Sequence, residues 1–198
     1  MASSRSQYIF NRHYFEGFNQ EALTRNQSFF VPVIYGFIFI HILHFDDQKV
    51  NYALISRKDT RRLGRWFVCR GLDRDGNPAN FVETEQVLIH KDEDTSQVSV
   101  YSHVQIRGSI PLIWTQTPTL KYNPKVAVNG DRNSVNKTAT THLQRISDEY
   151  EKVVCVSLID KKGSQLKIGE AFTKIVKDVN NPGIKYTWFD FHHECRKM

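Results

Sequence analysis

Residues 153–191 read VVCVSLIDKKGSQLKIGEAFTKIVKDVNNPGIKYTWFDF, and this stretch decides the fold. Val153 to Ile159 is a short apolar run rich in β-branched residues, which predicts a buried strand. The charged loop Lys161-Lys162-Gly163-Ser164 follows. Leu166 to Val179 then sets Phe172, Ile175, Val176 and Val179 on one helical face, and Pro182-Gly183 stops that helix. Ile184 to Phe191 is apolar and aromatic again, a second strand. A helix between two such strands is a crossover unit, and crossover units pair their strands in parallel. Immediately upstream, Lys137 to Lys152 places Ala139, Leu143, Ile146 and Tyr150 at spacings of three or four, a further amphipathic helix.

Toward the N-terminus the pattern changes. Val33 to Phe45 reads as a long strand buried on both sides, because its apolar run is nearly continuous. Asp46-Asp47-Gln48-Lys49 is a turn and Val50 to Ser56 a second strand. Asp73-Arg74-Asp75-Gly76-Asn77 is a turn in which Gly76 supplies a positive φ. Asn80 to His90 and Val98 to Ile106 are strands joined by the polar turn Lys91 to Ser96. A short helix fits Glu16 to Arg25. The segment from Thr115 to Asn136, with Pro118, Pro124 and Gly130, is the longest irregular one. The expected fold class is mixed α/β: an antiparallel β-meander followed by helix–strand units packed on one mixed sheet, in a single domain.

Of the 198 residues 40% are hydrophobic and 24% charged, a globular composition that excludes a disordered or collagen-like chain. Lys and Arg number 27 against 21 Asp and Glu, a net charge of +6. That balance favours anionic partners in general and is equally the ordinary charge of a soluble surface. Cys69, Cys155 and Cys195 are odd in number, widely separated and form no CxxC pair, which argues against a disulfide framework or a structural zinc site. The N-terminus is polar and resembles no signal peptide. Phe29 to Phe45 carries no formal charge, but it is shorter than the roughly 20 residues a membrane helix needs. Its β-branched and aromatic content favours a strand.

Four places carry candidate chemistry. His192-His193-Glu194-Cys195 follows a strand whose carboxyl end is where ligands bind in parallel sheets. Neighbouring histidines on an extended chain face opposite ways, so a structural or supporting role competes with a metal site, and no metal is assigned. Arg57, Lys58, Arg61, Arg62, Arg65 and Arg70 form a basic segment suited to phosphate oxygens; the alternative is a solvated charged face. Trp66 and Phe67 lie within it, but no nucleic-acid recognition motif is present, and nucleic acid is not an expected partner. Arg107-Gly108-Ser109 ends a strand, where glycine admits close backbone approach and arginine neutralises an anion. Glu83-Thr84-Glu85 sets two carboxylates on one strand face, with plain surface charge as the competing reading.

Five segments resemble a known family together. They are Phe30 to Gly36 (FVPVIYG), Asp73 to Gln86 (DRDGNPANFVETEQ), Arg107 to Trp114 (RGSIPLIW), Leu120 to Pro124 (LKYNP) and Phe189 to Met198 (FDFHHECRKM). In this order and spacing the chain resembles the Sac-domain phosphoinositide phosphatases, most closely the branch anchored in the endoplasmic reticulum and Golgi. The resemblance implies hydrolysis of inositol-ring phosphate monoesters, such as that of phosphatidylinositol 4-phosphate, at the cytoplasmic face of those membranes. It implies a cysteine nucleophile in a Cys-x-x-x-x-x-Arg loop, with no metal and no cofactor. The expected partner is a phosphoinositide headgroup at a membrane surface, with no transmembrane segment within these residues.

The same comparison raises two departures. Six residues after Cys69 stands Asp75, six after Cys155 stands Lys161, and six after Cys195 lies beyond Met198. Residues 1–198 are therefore expected to be the first half of the catalytic subdomain. The nucleophilic loop, the membrane anchor and most of the N-terminal β-rich subdomain would lie outside them. Where relatives carry Gly-Thr-Arg-Tyr-x-Arg-Arg-Gly, this chain has Gly64-Arg65-Trp66-Phe67-Val68-Cys69-Arg70-Gly71. The residues expected to line the site are Arg70, Arg107, Gly108, Ser109, Asp190, His192 and Glu194. Two functions are carried forward: a phosphatase whose loop lies outside these residues, and a catalytically dead Sac-like protein acting by binding or regulation.

Overall fold

Four long strands run as the expected antiparallel meander. They are β1 (Gly36–Phe45), β2 (Gln48–Lys58), β3 (Val82–Lys91) and β4 (Val98–Arg107), in the order β1-β2-β3-β4. The computed structural model describes residues 3–45, 48–64, 68–92, 95–117, 119, 124–129 and 131–197. Asp46-Asp47 of the first expected turn lies outside them. The chain divides into two compact units, Met1–Leu63 with Phe81–Arg107 and Gly64–Asn80 with Gly108–Met198.

In the first unit the register sets Ile38 opposite Ile55 and Ile55 opposite Glu85. Gly36 opens β1 because a Cβ there would lie 1.9 Å from the Ser56 carbonyl oxygen. The expected two-sided burial of β1 is corrected: every residue of Gly36–Phe45 except Leu43 is exposed. The strand is an edge, and among the described residues no layer covers it. The preceding aromatics pack on each other instead, Phe15 and Phe18 edge-on to Phe30 at 5.6 and 4.8 Å. Beside them runs the short helix α1 (Gln20–Arg25), capped by Asn19 through the Ala22 amide.

The second unit holds the hydrophobic core. It contains a hairpin of β5 (Trp114–Gln116) and β6 (Val126–Val128), then α2 (Arg132–Tyr150), β7 (Val153–Ser157), α3 (Gly163–Val179), β8 (Ile184–Trp188) and the single turn α4 (Phe191–Glu194). β7 and β8 pair in parallel across α3, as the crossover pattern predicts. Ala139 and Leu143 of α2 meet Ile168, Phe172 and Ile175 of α3 in one core with Leu72, Leu112 and Trp114. α2 starts ahead of the expected Lys137 because Asp131 caps it, accepting from the Asn133 and Ser134 amides at 3.0 Å. Gly169 lets α3 lie against β8, since a Cβ there would fall 2.2 Å from the Trp188 ring.

The mixed α/β class holds, but among the described residues the strands form three separate sheets rather than one. The hairpin was not legible in the Thr115–Asn136 segment because its strands have three residues each. β7 is buried on one face only: Cys155 and Ser157 turn inward while Val154 and Val156 are exposed. The last strand ends at Trp188 rather than Phe191, because Asp190 caps a helical turn.

Candidate functional site

The carboxyl ends of the two parallel strands converge on one cluster. Asp160 and Lys161 follow β7, and Phe189, Asp190 and His192 follow β8. Asp190 is 8% exposed. Its carboxylate accepts the Lys161 amide at 2.9 Å and the His193 amide at 3.1 Å, so it ties the loop before α3 to the turn after β8. The hydrogen bond from Lys161 is the main cause that holds its pKa below the ordinary carboxylate value, with burial opposing and the His193 amide adding to the lowering. His192 Nδ1 lies 2.7 Å from Asp160 Oδ1. That carboxylate fixes the imidazole's orientation, the arrangement that proton transfer by histidine requires.

Three features add positive potential. The Lys161 ammonium sits 5.8 Å from the Trp188 ring centre, and Trp188 is itself fixed by its Nε1 donating to the Ile159 carbonyl at 2.8 Å. Lys162 occupies the N-cap of α3 without a side-chain cap bond. The amino end of that helix carries partial positive charge from its aligned peptide dipoles. Ser157, at the end of β7, buries a hydroxyl that has no hydrogen-bond partner among the described residues. The cluster is suited to holding and orienting an anion beside an imidazole–carboxylate pair.

A second group surrounds Arg70. The Gly71 amide donates to Ser109 Oγ at 2.8 Å, the Ser109 amide donates to the Ala79 carbonyl at 3.0 Å, and Asn80 Nδ2 donates to the Cys69 carbonyl at 3.0 Å. These bonds pin the segment on both sides of Arg70, whose guanidinium lies 5.6 Å from the Trp114 ring centre. Burial lowers the Arg70 pKa from its ordinary value. Gly71 has φ +64, and a Cβ there would fall 2.3 Å from the Leu112 carbonyl oxygen.

Residues 1–196 match the model of the SacI homology domain. The chain belongs to that family. It is 37% identical over 174 residues to the phosphatidylinositol-3-phosphatase SAC1 of Saccharomyces cerevisiae, covering 88% of this chain and 27% of that protein. It is 39% identical over 171 residues to the Danio rerio phosphatidylinositol-3-phosphatase SAC1-A, covering 86% and 28%. It is 39% identical over 146 residues to the Homo sapiens phosphatidylinositide phosphatase SAC2, covering 74% and 12%. The match thus spans between 12% and 28% of the length of these relatives.

Within this SacI homology domain the expected site residues fall into different places. Asp190 and His192 meet at the strand ends, and Arg70 and Ser109 meet in the second group. Gly108 is exposed just before Ser109. Arg107 is the exposed last residue of β4, opposite Val82 in the first unit. Glu194 is exposed and lies against His193 at 3.4 Å rather than in the Asp190 cluster. His192 and His193 sit on the turn α4, not on extended chain. Among the described residues no three His, Cys, Asp or Glu side chains form a metal-ligating group. Likewise no described helix is long and apolar enough to cross a membrane.

The basic segment is partly accounted for inside the first unit. Arg57 donates from Nε to Glu83 Oε1 at 2.7 Å and lies 3.6 Å from Glu85. Glu83 is 3% exposed, which corrects the reading of Glu83-Thr84-Glu85 as plain surface charge. Arg61 pairs with Asp59. Arg65, Trp66, Phe67 and residues 120–123 lie outside the described residues. Burial raises the Cys155 pKa, so its thiol is held away from the reactive thiolate form. Sequence reasoning missed Asp160 and Trp188. The position of Asp160, directly after an apolar strand, was the available signal.

Proposed function

We propose that this SacI homology domain serves a phosphoinositide phosphatase, acting on inositol-ring phosphate monoesters with phosphatidylinositol 4-phosphate as substrate. The cytoplasmic face of endoplasmic reticulum and Golgi membranes is its place of action. The observation that carries the reading is the cluster at the ends of β7 and β8: an imidazole held by Asp160, two lysines and the amino end of α3, in a chain whose named relatives are phosphatases. In this reading Lys161, Lys162 and the α3 amides attract the phosphate, Asp190 holds the Lys161 loop in place, and Arg70 binds a phosphoryl oxygen.

The family's reaction forms a cysteinyl phosphate and hydrolyses it with water, without metal or cofactor. Neither Cys69 nor Cys155 is followed by the required arginine, and the sixth position after Cys195 lies outside residues 1–198, so this reading assigns these residues supporting groups. The test is phosphate release from short-chain phosphatidylinositol 4-phosphate. The 198-residue chain alone is expected to stay at the level of a boiled control. A chimera in which it replaces the matching segment of the Saccharomyces cerevisiae relative is expected to turn over in the presence of EDTA. A folded but inactive chimera that still binds the headgroup would replace this reading with a binding module. Robust turnover by the short chain would overturn the assignment of supporting groups alone.

A further inference from the structure

Trp188 is held from three sides inside the second unit. It closes β8, its Nε1 donates to the Ile159 carbonyl at 2.8 Å, and its six-membered ring lies against α3 where Gly169 has no Cβ to exclude it. The indole so fixed presents its face to the loop that it grips. Lys161, two residues after Ile159, sets its Nζ 5.8 Å from the ring centre, within the range of a cation–π contact. The Lys161 amide is tied in turn to the Asp190 carboxylate at 2.9 Å. The lysine is thus held at both ends, by a carboxylate on its backbone and by a ring under its ammonium.

The kind of partner matters for the charge. Among the described residues no carboxylate pairs with the Lys161 ammonium: Asp160 is taken by His192, and Asp190 by two backbone amides. An ion pair would neutralise the lysine and would have to break before an anion could bind. A π face attracts the cation without cancelling its charge. A free lysine side chain also loses rotamer freedom when it is fixed on a ligand, and one already laid on a ring has lost part of that freedom beforehand. Lys162 is the contrast. It occupies the N-cap of α3 without a side-chain cap bond, and among the described residues no ring lies under its ammonium.

We propose that Trp188 is a positioning residue for anion binding: it holds the Lys161 ammonium, charged and without a carboxylate partner, at the strand ends, so that Lys161 meets the phosphate monoester of an inositol headgroup in a set orientation. This inference rests on the proposed function, which gives Lys161 the phosphate.

The test is NMR titration of the 198-residue chain with inositol 1,4-bisphosphate. Lys161→Ala is expected to weaken binding by about fivefold or more, and Trp188→Leu by about threefold. In the Lys161→Ala background Trp188→Leu should add nothing, whereas in the Lys162→Ala background it should keep its full effect. A tryptophan that only supports the fold would weaken binding equally in all three backgrounds, and that result overturns the proposal. The native chain carries a second readout. The Lys161 ε-methylene protons, shielded by the indole face, are expected upfield of those of other lysines, and in their ordinary position in Trp188→Leu. If Trp188→Leu fails to fold, Trp188→Phe decides, with an intermediate shift and an intermediate affinity expected. An ordinary shift in the native chain overturns the proposal. Tighter binding of the bisphosphate than of inorganic phosphate assigns the contact to an inositol headgroup, and equal affinity overturns that assignment. Weakening by Lys161→Ala without any by Trp188→Leu removes the positioning role alone. No weakening by Lys161→Ala removes the anion site, and this inference with it.

Discussion

Both the β1–β4 meander and the β7–β8 pair are built from apolar strands, yet they are stabilised differently. In the second unit α2 and α3 bring Leu143, Ile168 and Phe172 against the sheet, and the inward face of β7 is buried. In the first unit the middle strands are held by ladder register and by Arg57 between Glu83 and Glu85, while β1 lies bare. Apolar content makes a strand. Whether the strand is buried depends on which other element reaches it, and the helices that do so for β7 have amphipathic faces set by their own periodicity.

Core truncation tests this contrast most strongly. Leu143 is 1% exposed. Leu143→Ala is expected to cost about 3–4 kcal/mol, from lost transfer energy plus a cavity. Val100→Ala, on the exposed edge strand β4, should stay within about 0.5 kcal/mol. Urea denaturation compares the two, and equal losses would erase the distinction.

Next in size is the ion pair. Arg57→Ala leaves Glu83 buried without its guanidinium and is expected to cost about 3 kcal/mol. Arg57→Ala with Glu83→Ala should recover part of that loss, because no buried charge then remains. A double-mutant cycle measured by chemical denaturation would expose a pair that contributes nothing, through additive single losses.

How far the sequence could be read follows the same division. Helical periodicity located α2 and α3 because Ala139, Leu143, Phe172 and Ile175 repeat on one face, and the crossover gave the parallel pairing. Burial was misjudged at β1 because two-sided apolarity reads alike in a covered strand and a bare edge. Asp190 and His192 are expected at the site because they stand at the carboxyl end of the last predicted strand. Asp160 also stands at a strand end, but the adjacent Lys161 and Lys162 dominate the charge pattern of that loop. Glu83 looked like surface charge because its partner Arg57 lies 26 residues away, a separation that local patterning does not span.

A smaller effect is expected from Asp190→Asn, and it carries a pH signature. The folded state holds the Asp190 pKa low, chiefly through the Lys161 amide. Its stabilising contribution is therefore complete above the unfolded carboxylate value of about 4 and is lost as pH falls through the lower folded value. Thermal melts between about pH 7 and pH 3 should show a lower melting temperature for the variant at neutral pH, converging with the parent at the acid end. A constant offset across that range would remove Asp190 as the source.

The smallest effect is expected on the outer face of β7. Val154 is 65% exposed, whereas its neighbour Cys155 faces the core. Val154→Thr keeps the β-branched shape and replaces a methyl with a hydroxyl, which water can solvate at that exposure. The strand's ladder to β8 is made by backbone groups and is untouched by the change. Denaturation should therefore move by less than about 0.5 kcal/mol. A loss above about 1.5 kcal/mol would mean that the outer face is covered in solution, because only a desolvated hydroxyl costs that much. β7 would then be buried on both sides, as its apolar run first suggested, and the contrast would become one between a strand covered twice and an edge covered not at all.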